Sequence, residues 1–401
     1  MRTKILVADT LFTPEEVPGP AAVVLNGPKI AAVWPVADAE AAAERVRNEL
    51  GHNQADVVDL RPLRLAPGFI DLHIHGFGGY DASTGNMNAL QGLAEQLIPT
   101  GVTGFVPALV AGDREATIHQ IRRWAGLAEG GMPVNAAQVV GIRLEGPFLN
   151  PGRRGAQPAE HLRAPDVGEL DDWMTVDRGW LRIVDYAPEL DPEGRFLEAL
   201  LKYKLRPSAG HTLASYEDLH QAIDRGLSHC AHLFNGMAGF HHREPGAVGA
   251  LLTDRRVTVE LIADGVHVHP AALKLAVMAR GPEAIALVTD AVAGAGMPDG
   301  TYVLGEQEII VHEGIARLPD GTLAGSTLTL DRAVRNLVGL TGVGWADAIR
   351  MVTLTPAKIA GMWGRKGQLA RGMDADLVAL DAEGHVQQVW VRGQVAYQRE
   401  G

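Results

Sequence analysis

The chain has 401 residues, 46% hydrophobic and 21% charged, a balance that excludes an intrinsically disordered polymer and permits a large core without staples. Its 36 basic against 48 acidic side chains leave a formal charge of −12, which argues against a nucleic-acid or anionic-membrane surface. An anionic substrate must then be held by locally placed cations. The single cysteine, Cys230, excludes a disulfide framework and any cysteine-based zinc finger.

At the N-terminus, Met1-Arg2-Thr3-Lys4 is followed by a short apolar run, Ile5 to Ala8, too short for the apolar region of a secretory signal. The segments Ala21–Leu25 and Ile30–Val33 read as strands around an Asn26-Gly27-Pro28 turn. Eight β-like runs follow: Phe69–His75, Val102–Leu109, Val139–Glu145, Leu181–Ala187, Arg206–His211, Ser228–Phe234, Val257–Asp264 and Ala284–Val292. Between them, Arg114 to Ala128 carries Ile118, Ile121, Ala125 and Ala128 at helical spacing behind Asp113 as N-cap. A second helix opens at Ser215, with Glu217 and Asp218 in its first turn, and ends near Gly226. The longest uncharged stretch, Gln96 to Gly112, is broken by Pro99, Gly101, Gly104 and Pro107, so it is no membrane span. At the C-terminus, Asp376–Leu380, Val386–Val391 and Gln394–Tyr397 read as strands separated by turns at Glu383-Gly384 and Arg392-Gly393.

Alternating strands and helices imply βα units, and eight of them imply an α/β fold, a (β/α)8 TIM-like barrel. The expectation is a barrel over residues 66–366, with a small β-sandwich built jointly from residues 1–65 and 367–401. A soluble, cytoplasmic protein is expected.

His73 and His75 are two apart in a strand and so share one face. Glu145 ends the third run and His211 the fifth, while His232 and Asp290 lie near the ends of the sixth and eighth. Barrel enzymes place their active sites at these C-terminal strand ends. Singly, Glu145 can cap the Gly146-Pro147 loop, His211 can bond a neighbouring backbone group, and Asp290 can cap a following turn. Jointly they make a ligand set for a divalent metal.

The segments Pro67–Gly76 (PGFIDLHIHG), Leu144–Asn150 (LEGPFLN), Ala209–Thr212 (AGHT), His232–Met237 (HLFNGM) and Arg243–Gly246 (REPG) resemble the amidohydrolase superfamily. Within it, the resemblance is to the N-acetylglucosamine-6-phosphate deacetylase family. Further matches are Ala263–Val268 (ADGVHV), Leu287–Asp290 (LVTD), Leu323–Ser326 (LAGS), Thr355–Ala357 (TPA) and the closing run Gly367–Asp381. The resemblance implies Glu145, His211 and His232 as the main metal ligands, His73 and His75 as ligands of a second site, and Asp290 as catalytic acid/base. It implies sugar-phosphate contacts at Asn235, the Gly236 backbone, Arg243 and His267, with Ala156 nearby and Leu323, Ala324 and Gly325 in a loop over the substrate. An arginine supplied by the neighbouring subunit would make a homodimer part of the active site. Gln157 departs from members that carry histidine there, so contacts around Ala156 and Gln157 are expected to differ. The fourth run ends Tyr186-Ala187-Pro188-Glu189 without the lysine that bridges two metals in dihydroorotases and hydantoinases.

The implied reaction suits the residues. An amide is a poor electrophile and water a poor nucleophile; a metal held by a carboxylate and two imidazoles activates both. Asp290 would take the water proton and pass it to the leaving amine. Arg243 suits phosphate through its bidentate fork. Zinc is the first expectation for the metal, in one or two sites per subunit, with iron(II), cobalt and manganese compatible with the same donors. The rival readings are a deacetylase for another amino-sugar phosphate, such as N-acetylgalactosamine 6-phosphate, and a catalytically silent sugar-phosphate-binding protein. His267 is preferred over His269 and His242 for substrate contact, and Cys230 reads as a small buried hydrophobe.

Overall fold

A computed structural model describes residues 3–13, 15–51, 55–84 and 86–400. The first two residues of the expected small domain, and residues 14, 52–54 and 401 within it, lie outside that description. Eight parallel strands run Phe69–Ile74, Val102–Val110, Ile142–Glu145, Leu181–Tyr186, Arg206–Ala209, His229–Cys230, Thr258–Leu261 and Ile285–Leu287. They pair in chain order, and the ring is completed by a parallel bridge between Ile74 and Ala291 and by the Asp290 amide donating to the His73 carbonyl at 2.9 Å. This is the expected barrel. Strands such as Phe69–Ile74 and Val102–Val110 are buried along their whole length, as parallel strands covered by helices must be.

The expected runs are longer than the paired strands. Only His229–Cys230 of the Ser228–Phe234 run keeps ladder pairing, because the chain turns left-handed at His232 (φ 22°) and Phe234 (φ 82°). The Val139–Glu145 run divides into Gln138–Val139 and Ile142–Glu145 at Gly141, where a Cβ would stand 2.4 Å from Arg182 Cγ. The helices follow their signals. Arg114–Gly130 is capped by the Asp113 carboxylate accepting from the Ala116 amide, and Tyr216–Asp224 starts in a full capping box between Ser215 and Asp218.

The two chain ends meet in one sheet of eight strands. Leu377–Leu380 lies between Val386–Val391 and Arg64–Pro67, and Arg64–Pro67 pairs with Thr3–Phe12. The sheet curls, since Leu25 and Ile30 share an apolar cluster with Trp390 from the other end of the strand order. Its outer face is covered by a helix, Ala39–Leu50, through Ala42 and Val46.

Two elements were not expected. One is that helix, signalled by Asp38 as N-cap, an alanine-rich run and Gly51 in the left-handed region. The other is a three-stranded antiparallel flap, Gly300–Leu304, Gln307–His312 and Ile315–Arg317, inserted after the eighth barrel strand. It packs Leu304, Ile309 and Val311 on Val110, Val292 and Ala324 at the barrel mouth. No helix among the described residues is long and apolar enough to cross a membrane.

Candidate metal centre and active site

The chemistry-bearing residues stand where strands stop and the backbone bends. His211 (φ 48°), His232 (φ 22°) and Asp290 (φ 50°) all occupy left-handed conformations that cost side-chain-bearing residues energy. Each lies two or three residues beyond its paired strand, so its side chain is carried over the barrel mouth.

Glu145 is the hub. Its Oε1 receives His232 Nε2 at 2.8 Å and His211 Nε2 at 3.0 Å, while its Oε2 lies 3.0 Å from His75 Nε2. Asp290 Oδ1 stands 3.3 Å from His75 Nε2 and 3.5 Å from His73 Nε2. The two Nε2 atoms of His73 and His75 face each other at 3.3 Å. All six side chains are almost wholly removed from solvent.

The outer nitrogens decide what the inner ones can do. His75 Nδ1 donates to the Ala108 carbonyl at 2.9 Å and His211 Nδ1 to the Arg153 carbonyl at 2.8 Å. A carbonyl only accepts, so in both rings Nδ1 carries a proton and Nε2 is the nitrogen left to meet a cation or a second proton. Both Nε2 atoms face carboxylate oxygens, an arrangement that needs a proton or a metal cation between them. Two groups, His73/His75/Glu145 and Glu145/His211/His232, hold their donor atoms within 4.8 Å of one another. The donor set therefore fits a divalent cation, and shared Glu145 fits a pair of them.

The electrostatics of the bare cluster agree. Burial raises the Glu145 carboxyl, but the surrounding imidazoles, His73 and His75 foremost, bring it well below the usual carboxylate range. Burial works against protonation of His75, yet the Glu145 and Asp290 carboxylates lift it to about 9. Asp290 is likewise held low, burial being outweighed by His73 and His75. Two carboxylates here demand positive charge.

A cavity of about 250 Å³ opens over this cluster, walled by Gly155, Ala156, Asn235, Gly236, His267, Leu304, Leu323 and Gly325. His267 Nδ1 donates to Asp264 Oδ2 at 2.7 Å, which fixes the ring at the cavity wall. Gly236 (φ 62°) passes so close to His211 that a Cβ would stand 2.9 Å from Nδ1. Ala324 does not line the cavity; it is fully buried beneath the flap, while its neighbours Leu323 and Gly325 face inward. Arg243 is also outside the lining, on an exposed loop where its guanidinium meets His242 Nε2 at 2.8 Å.

Gln157 was expected to alter local contacts, whereas Arg143, Asp185, Glu260 and Asp71 escaped the sequence reading. Gln157 donates through Nε2 to Glu145 Oε2 and accepts the Ala111 amide at 2.9 Å, so the departure from histidine touches the hub itself. Beneath the site, Arg143 forms a fork with Asp185 (2.6 and 2.8 Å) and also donates to Glu260. Asp71 binds the Thr289 hydroxyl at 2.6 Å, tying the strand of His73 to the residue before Asp290. The available signal was charge at alternate positions inside apolar strands, as in Ile142-Arg143-Leu144-Glu145 and Thr258-Val259-Glu260-Leu261.

Residues 64–396 match the amidohydrolase family. An N-acetylgalactosamine-6-phosphate deacetylase of Escherichia coli O157:H7 is 44% identical over 83% of this chain and 87% of its own length. An N-acetylglucosamine-6-phosphate deacetylase of Bacillus subtilis is 37% identical over 83% and 84%. Among solved structures, the N-acetyl-D-glucosamine-6-phosphate deacetylase of Mycobacterium smegmatis, in complex with N-acetyl-D-glucosamine 6-phosphate, superposes with a TM-score of 0.91 at 33% identity, covering 99% of this chain and all of that one.

Proposed function

The chain belongs to the amidohydrolase family, and on that premise we propose that it hydrolyses the acetamide of N-acetylglucosamine 6-phosphate to glucosamine 6-phosphate and acetate. It is a metal-dependent amide hydrolase. The observation that carries this reading is the convergence of His211 and His232 Nε2 on Glu145 with Asp290 beside them, at the floor of an open cavity.

In this proposal Glu145, His211 and His232 would hold the principal metal, zinc first among the candidates, and His73 and His75 with Glu145 would hold a second. When bound, such a cation would supply water activation and Lewis-acid chemistry. Asp290 accepts the water proton as the C–O bond forms, then delivers it to the sugar nitrogen as the C–N bond breaks. The Asp290 amide and carbonyl are anchored to His73 and Ser326, so its carboxylate is held in place for both transfers. Asn235, Gly236, His267 and the Leu323–Gly325 loop hold the sugar, with Ala156 opposite. Arg243, exposed on the loop that also carries Phe240, serves the phosphate of a neighbouring subunit's substrate in a homodimer. The catalytic barrel spans residues 66–366 and the small domain residues 1–65 with 367–401; a cytoplasmic location goes with a phosphorylated substrate.

The test is acetate release from N-acetylglucosamine 6-phosphate, its galactosamine epimer and the unphosphorylated sugar, with metal-stripped protein reloaded with zinc, iron(II), cobalt or manganese. Metal-dependent release from the first alone is expected. The 44% identical relative favours the epimer as the second reading, and release from it alone would move the specificity there. No release from fully metallated protein that binds the sugar phosphate would leave a silent binder.

A further inference from the structure

Below the site, Glu260 is fully buried in the seventh strand and accepts four hydrogen bonds. Its Oε1 takes Arg143 Nη1 and His229 Nε2, the latter at 3.0 Å. Its Oε2 takes His73 Nδ1 at 3.0 Å and the backbone amide of His232 at 3.2 Å. One oxygen thus serves two residues that face the metal cluster, a side chain on the first strand and the left-handed backbone beyond the sixth. The other oxygen faces a guanidinium already forked on Asp185, so the carboxylate is pinned from below.

We propose that Glu260 is a positioning residue for the metal centre, fixing His73 as the Nδ1–H tautomer and holding His232 in its strained backbone. The argument rests on the reading of the cluster as a metal centre. A carboxylate only accepts, so His73 Nδ1 must carry a proton, and Nε2, facing Glu145 and Asp290, is the nitrogen left for the cation. An amide at this position offers two ends. With its oxygen on Arg143 and His229, its NH2 group meets His73 Nδ1, which then has to accept. The ring proton moves to Nε2, where it occupies the site of the cation. Partners that orient histidine ligands in this way are worth about 10–100-fold in metal affinity.

The test reads tautomer and metal content rather than turnover. In the metal-stripped wild type, nitrogen-15 NMR should find a proton on His73 Nδ1; a ring whose only proton is on Nε2 would overturn the proposal without any variant. Glu260→Gln should shift His73 to Nε2–H and weaken the His73/His75 metal by about 10–100-fold, read by metal analysis after dialysis. Wild-type tautomer and metal content in this variant would overturn it. Should Glu260→Gln fail to fold, Glu260→Asp keeps the charge for Arg143 and, being one methylene shorter, withdraws from His73. Loss of the same metal from that folded variant supports the proposal, and full retention overturns it. Absence of acetate release from the wild type, with these shifts present, would count against the deacetylase reading alone.

Discussion

Gln157 and Glu145 are joined side chain to side chain, the Gln157 amide nitrogen donating to Glu145 Oε2 while its oxygen takes the Ala111 amide. Glu145 thereby keeps a fixed carboxylate plane between His75 on one side and His211 and His232 on the other. Replacing Gln157 by leucine removes that tether and leaves the Ala111 amide buried without an acceptor. The expected result is a loss of kcat/KM of about 10-fold or more together with weaker metal retention, in keeping with partners that orient a ligand. Steady-state kinetics and metal analysis check it; an unchanged metal content would show that Glu145 needs no such support.

Asp290→Asn keeps the shape of the side chain and its backbone anchors but removes the proton acceptor. Turnover should fall by about 10²–10⁴-fold, the usual weight of general acid–base catalysis, while sugar-phosphate binding persists in calorimetry. Near-normal turnover would remove Asp290 from proton transfer.

Gly236→Ala places a Cβ 2.9 Å from His211 Nδ1 at a φ of +62°. The left-handed conformation alone costs a side-chain-bearing residue about 1–2 kcal/mol. The clash falls on the nitrogen that bonds the Arg153 carbonyl, so His211 is displaced as well. A lower melting temperature and weaker metal binding are expected together; a change in melting alone would separate Gly236 from the metal.

Acid should act on the small sheet through Asp374, which bonds Lys29 at 2.8 Å and Arg365 at 2.9 Å and lies 3.3 Å from Lys366. Burial raises its carboxyl, but these cations, Lys366 foremost, bring it below the ordinary value. A pKa lower in the folded than in the unfolded chain gives stability above the unfolded value, about 3.9. That stability is lost as the pH falls through the folded value. Melting temperatures between pH 6 and pH 3 should therefore fall more steeply for the wild type than for Asp374→Asn. Parallel curves would exclude this carboxylate as a source of acid sensitivity.

The barrel was legible because its strands are apolar runs at regular spacing and its helices carry caps such as Asp113 and Ser215. The hub residues were legible because they end those runs. What stayed hidden is set by contacts distant in sequence. Glu260 reaches His73 across 187 positions and Gln157 reaches the Ala111 amide across 46, and nothing local to either residue announces the partner. The flap was missed because its residues alternate in an exposed, partly charged pattern typical of a loop, and only the buried Leu304, Ile309 and Val311 mark its inner face. Ala324 was placed at the substrate by the resemblance of the Leu323–Gly325 loop, yet it is fully buried in the flap's apolar cluster.

The sheet shared by both chain ends imposes an order on synthesis. Arg64–Pro67 leaves the ribosome early and pairs with Thr3–Phe12, but its other edge is matched only by Leu377–Leu380, which follows the whole barrel. During translation the nascent chain must therefore carry an open strand edge, an invitation to pairing with other chains. That edge closes only when the last strands emerge. A ribosome that stalls within the barrel releases a product with its catalytic residues largely present and a self-associating edge. Misassembly of truncated chains should then begin at Arg64–Pro67, far from the metal centre.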